Sequence, residues 1–136
     1  MGVQVVLCGS RTDEAALEEL RRRFGLSCSI MAGKLSLRPL VAFLSRCSAV
    51  LCPDSGPRHL GNAAGVPVFF FRNLWSSKVE TGAYCDSEVD LAPDIEFLSQ
   101  KAQHEYLVKV TPARVLDALT PVLLQTRTTG APTTPQ

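Results

Sequence analysis

The stretch Cys52-Pro53-Asp54-Ser55-Gly56-Pro57-Arg58-His59 concentrates a carboxylate, a hydroxyl, a guanidinium and an imidazole around one glycine and two prolines. A glycine lets a ligand approach the backbone, and a proline placed just inside a helix marks where that helix opens. The unpaired N–H groups of a first helical turn, with the positive end of the macrodipole, favour an anion such as phosphate. Ser55, Arg58 and His59 would add three further donors if they point into the same crevice. The same residues carry a second reading, in which Asp54 and Ser55 only cap the helix and His59 is a surface histidine.

Such residues act only if the chain holds them at one edge of a sheet. Val3 to Cys8 is apolar except for Gln4 and ends at Gly9-Ser10, the pattern of a strand buried on both faces. A helix should follow, with Asp13 and Glu14 in its first turn, Arg21 to Arg23 in its last and Gly25 beyond, and with Leu17, Leu20 and Phe24 as its buried stripe. The unit then recurs. A strand over Ser29 to Ala32 leads through Gly33-Lys34 to a helix capped by Ser36, with Leu37, Leu40, Val41 and Leu44 in step. A third strand, Ala49 to Cys52, leads to a helix from Pro57 to about Ala64, and Val66 to Phe71 is the most hydrophobic strand.

Alternating strands and helices at this interval predict an α/β fold, a Rossmann-like parallel sheet flanked by helices. Arg72 to Leu91 shows no clear period. Further on, Asp94 to Gln103 is read as a helix, Tyr106 to Val110 as a strand, and a last helix is capped by Thr111 with Pro112 in first position and Val115, Leu116, Leu119 and Leu123 facing inward. Residues 1–125 therefore form one domain. The Thr/Pro-rich tail, 126–136, has nothing to bury and is expected to be disordered. Trp75 and Phe69 to Phe71 read as core, and His104 as a solvated helix end. In such a sheet the ligand crevice lies outside the carboxyl ends of the strands, at the loops Gly9 to Asp13, Gly33 to Ser36, Pro53 to Arg58 and Arg72 to Trp75.

Composition narrows the partners. With 14 basic and 13 acidic side chains the formal charge is +1, too little to hold a nucleic acid or an anionic membrane by field alone. The five cysteines have no zinc-like spacing and read as reduced thiols, so no metal is expected. No segment is long and apolar enough to span a membrane, and a cytoplasmic location is expected.

Residues 5 to 71 resemble the C-terminal domain of family 9 glycosyltransferases, the lipopolysaccharide heptosyltransferases of GT-B fold. The matching stretches are VVLCGSRTDE and AGKLSLRPLVAFLSRCSAVLCPDSGPRHLGNAAGVPV. The pattern D-[ST]-G-x-x-H-L-x-x-A-x-G-x-P-V is kept at Asp54, Ser55, Gly56, His59, Leu60, Ala63, Gly65, Pro67 and Val68.

The resemblance implies the nucleotide-sugar-binding half of an inverting enzyme that moves a sugar, typically heptose from ADP-heptose, to a lipopolysaccharide core, without a cofactor. Ser55, Gly56 and His59 would hold the diphosphate, and Asp54 would face the donor sugar. Asp13 or Glu14 would address the ribose, and Lys34 would border the base pocket. The family's catalytic aspartate belongs to an N-terminal acceptor domain, so the resemblance assigns no catalytic residue here and implies that domain as a partner in cis or on another chain. The first strand and helix of the C-terminal domain are likewise outside the match. Departures are Gly61 and Asn62 in place of small alanines, and Arg72-Asn73-Leu74-Trp75 in place of a G-P-T turn. Two other readings remain: a stand-alone nucleotide-binding half that needs a partner subunit, and a non-catalytic remnant.

Overall fold

A computed structural model describes residues 2–72, 83–92 and 109–128. The chain divides into two compact units, residues 1–40 and 41–136.

In the first unit, β1 (Val5–Leu7) pairs in parallel with β2 (Cys28–Ile30), and α1 (Glu14–Phe24) connects them, entered through a short 3-10 turn at Arg11–Asp13. Gly25 takes φ 59° and closes α1, with its N–H and that of Leu26 returning to carbonyls of Arg21 and Arg22. The sequence anticipates this helix and its ends. It does not anticipate its exposure: no residue of α1 is buried, and Phe24 is 60% exposed. Val5 is likewise exposed, so β1 is not the doubly buried strand its composition suggests. One βαβ unit has too little apolar surface to cover both faces of its first strand, and Ile30 and Ala32 are its buried residues.

Helix α2 (Leu37–Leu44) spans the division between the units; it buries Leu44, half-buries Leu40 and Val41, and leaves Leu37 outside the expected stripe. In the second unit β3 (Val50–Pro53), β4 (Val68–Phe71) and β5 (Glu88–Asp90) form a parallel sheet in that order. α3 (Gly56–Ala63) packs on the face that carries Val50 and Val68, where a Cβ on Gly61 would come within 2.7 Å of Val68 Cγ2. Val68, Phe69 and Phe70 are fully buried, as expected for the most hydrophobic stretch. The parallel α/β fold read from the sequence is the fold observed.

Strand β5 lies in the region without a readable period. Its register sets Glu88 beside Val68 and Asp90 beside Phe70. α4 (Pro112–Thr128) starts where predicted, with the Arg114 N–H donating to the Thr111 hydroxyl at 3.3 Å. It runs past Gln125 to Thr128, and Leu116 is exposed rather than on the inner face. Lys109 and Val110, the end of an expected strand, are not extended. The expected helix over 94–103, Trp75, His104 and residues 129–136 lie outside the described residues. None of the five cysteines is bonded to another, and among the described residues no helix is long and apolar enough to cross a membrane.

Candidate functional site

Because the strands of each sheet are parallel, their carboxyl ends share an edge, and the expected site residues lie along those edges. In the first unit the Gly33 N–H donates to the Gly9 carbonyl at 2.9 Å, which lays the turn after β2 against the turn after β1. Gly33 has φ 65°, and a Cβ there would come within 2.9 Å of Arg11 Cα. Asp13 accepts from both the Ser10 N–H (2.8 Å) and the Ser10 hydroxyl (2.6 Å), and the hydroxyl's bond, then the amide's, hold its carboxyl below the usual range. Lys34 Nζ donates to the Ile30 carbonyl at 2.9 Å. Glu14 is exposed.

In the second unit Ser55 is the N-cap of α3, with extended backbone at φ −156° and ψ −175°. The Asp54 N–H continues the ladder to the Phe71 carbonyl, and the Arg58 N–H returns to Ser55 at 3.0 Å. Pro57 has no N–H, and among the described residues the N–H groups of Ser55 and Gly56 have no partner. A Cβ on Gly56 would meet nothing within 4 Å. The Ser55 hydroxyl makes a long 3.4 Å contact to the Pro53 carbonyl, and His59 is exposed, its ring 6.4 Å from that of Tyr84 and nearly parallel to it.

Arg58 sits differently from its neighbours. Its side chain is fully buried: Nε and Nη2 each donate to Glu88 at 2.8 Å, and Nη1 donates to Asp54 at 2.8 Å. Its guanidinium carbon lies 3.6 Å from the centroid of Phe70 and 4.5 Å from that of Tyr84. The Tyr84 N–H donates to Glu88 at 2.7 Å, and the Asn62 amide donates to the same carboxylate. Two-point pairing with Arg58, outweighing the cost of burial, holds the Glu88 carboxyl down at about 2. The expected diphosphate contact from Arg58 thus competes with two carboxylates for the same donors.

Asp54, Ser55, Gly56, Arg58 and His59 are therefore gathered in one unit, and Asp13, Glu14 and Lys34 in the other. Glu88, Asn62 and Tyr84 are the members of the cluster that sequence reasoning missed. The available signal was Glu88-Val89-Asp90, which sets two acids on one strand face opposite Arg58 and Arg72. Arg72 does pair with Asp90, at 3.0 Å. A depression beside Glu18, Arg22, Leu26 and Cys28 contains none of the candidate residues.

The profile of glycosyltransferase family 9 (heptosyltransferase) matches residues 1–105. The chain belongs to this family. It is 28% identical to lipopolysaccharide heptosyltransferase 2 of Escherichia coli strain K12 over 91% of its own length and 38% of that protein's. It is 27% identical to lipooligosaccharide heptosyltransferase 2 of Haemophilus influenzae over 90% of its length and 38% of the relative's. A solved structure of E. coli ADP-heptose lps heptosyltransferase II superposes with a TM-score of 0.73 at 29% identity, over 91% of this chain and 37% of that one. The family 9 chain thus spans well under half the length of the relatives it matches.

Proposed function

We propose that this family 9 chain binds the nucleotide-sugar donor of an inverting glycosyl transfer, with the diphosphate at the loop from Asp54 to His59. The observation that carries the reading is the pair of N–H groups at Ser55 and Gly56, without a partner among the described residues, at the positive end of α3, with open space above Gly56. The Ser55 hydroxyl and the exposed His59 ring stand beside them. When a glycosidic bond to a diphosphate breaks, negative charge develops on the leaving oxygen, so donors fixed there stabilise the transition state more than the bound donor.

Asp54 directs one oxygen to Arg58, while the other has no partner among the described residues and is available to a sugar hydroxyl. Arg58 contributes by holding that carboxylate in place. In the first unit Ser10 holds one oxygen of Asp13, and the other, or the exposed Glu14 carboxylate, accepts from ribose hydroxyls, with Lys34 as the neighbour of a base. The relatives' names favour ADP-heptose as donor and a lipopolysaccharide as acceptor. A transfer also needs a base within reach of the acceptor hydroxyl, which this reading assigns to an acceptor domain elsewhere in the full protein or on a partner chain. Nucleotide sugars are cytoplasmic metabolites, and the proposal places the protein there.

Calorimetric titration of the 136-residue chain with ADP, ADP-heptose and UDP-sugars tests the reading. Weak adenine-nucleotide binding without turnover, lost in Ser55→Ala and His59→Ala, is expected. Failure of every nucleotide to bind, or binding indifferent to His59→Ala, would favour a non-catalytic remnant.

A further inference from the structure

We propose that Glu88 is a positioning residue for the loop after β3: through Arg58 it fixes Asp54, and through Tyr84 it fixes the ring that lies against His59. The functional meaning rests on the donor-binding reading above; the coupling itself does not.

Glu88 lies at the start of β5, and Asp54 and His59 flank the start of α3, so neither touches Glu88 directly. Each hydrogen bond between them is nevertheless short. The carboxylate takes two bonds from Arg58 at 2.8 Å, and the third guanidinium donor reaches Asp54 at the same distance. A planar fork held at two corners leaves the third little freedom, so the orientation of Asp54 follows that of Glu88. The second line runs through Tyr84. Its N–H is held by Glu88, its ring covers Arg58, and that ring stacks with His59.

Asn62 completes the cluster. From the next turn of α3 its amide donates to Glu88, while its buried carbonyl oxygen has no partner among the described residues. A buried orphan acceptor is costly. The amide at this position serves to hold the carboxylate rather than to maximise packing. Arg58 and Asn62 from α3 and the Tyr84 N–H thus meet at the Glu88 carboxylate.

The test reads His59 directly. The chain has two histidines, so the His59 imidazole C–H signals can be assigned in proton NMR by comparison with His59→Ala. In ligand-free Glu88→Gln these signals are expected to move as the Tyr84 ring is released. ADP affinity is expected to fall about threefold to thirtyfold, the usual range for mutations that act through a neighbour. Asp90→Asn, which breaks the other β5 ion pair, is expected to leave the His59 signals in place. If Glu88→Gln does not fold, Asn62→Ala is read instead, with a smaller shift in the same direction. Unmoved His59 signals in a folded variant overturn the proposal, as does an equal shift in Asp90→Asn, which would reduce the effect to loosening of β5. If the wild-type chain binds no ADP but the His59 signals move as expected, the donor-binding reading fails and the coupling stands.

Discussion

Arg58 and Glu88 are joined by two hydrogen bonds of 2.8 Å, and both side chains are completely buried. Burying two charges costs more than most ion pairs return unless the remaining donors and acceptors are also satisfied. Here they are, by Asp54, Asn62 and the Tyr84 N–H, with Phe70 against the guanidinium. The pair therefore ties the last described strand of the sheet to the first turn of α3, where the family motif lies.

Removing both partners should cost less than the two single removals added together. Glu88→Gln takes the two-point partner from a buried guanidinium and leaves Asp54 as its remaining counter-charge among the described residues, and is expected to cost about 3–5 kcal/mol. The double change Arg58→Met with Glu88→Leu, which removes both charges and keeps the volume, should cost less than the sum of the single changes. Urea unfolding followed by circular dichroism gives the comparison. A double variant as unstable as that sum would show that the two charges are not coupled.

The same pair sets an acid limit on stability. Glu88 has its carboxyl lowered from 4.5 to about 2, so the folded state binds this proton more weakly than the unfolded state does. The stabilisation it gives is complete above the unfolded value and declines as pH falls from about 4.5 toward about 2. Denaturant midpoints measured at intervals from pH 6 to pH 2.5 are expected to fall in this window, and to fall less steeply in Glu88→Gln. Equal slopes in the two proteins would remove Glu88 as the cause.

Much of this arrangement was legible before the structure. Gly25 and Gly33, Pro57 inside the first turn and the apolar run ending at Phe71 each act locally, and each appears where its chemistry places it; Ser55 takes the N-cap position, although its hydroxyl makes no capping bond. The misses were non-local. β5 has only three residues, two of them acids, and it makes a strand because Arg58 and Arg72 neutralise those acids from elsewhere in the chain. Arg58 looked like a phosphate donor because spacing reports which residues are neighbours, not which carboxylates come to meet them. In α1 and β1 the period was right and the burial wrong, because periodicity gives a face without stating what covers it.

Thiol reactivity should divide by burial. Cys52 is buried between the sheet and Arg58, and desolvation pushes its thiol up to about 11, whereas Cys8 and Cys85 are exposed. A thiolate is the reacting species, so Cys52 should be silent toward an aromatic disulfide reagent in the native chain and react only after denaturation. Mass spectrometry of peptides after a brief exposure distinguishes the sites. Early labelling of Cys52 would mean that the α3 face opens far more readily than its packing implies.

Two glycines at turn positions should respond in opposite ways to a methyl group. Gly33 has a positive φ and backbone within 2.9 Å of where a Cβ would be, so Gly33→Ala is expected to cost about 1–3 kcal/mol. Gly56 has open space and sits in the first turn of α3, so Gly56→Ala should leave stability within about 0.5 kcal/mol. The methyl would nevertheless project into the space above the Ser55 and Gly56 N–H groups. If a diphosphate sits there, Gly56→Ala weakens ADP binding while the melting temperature stays put. Unchanged affinity in that variant would move the ligand away from this helix end and, with it, the role assigned to Ser55.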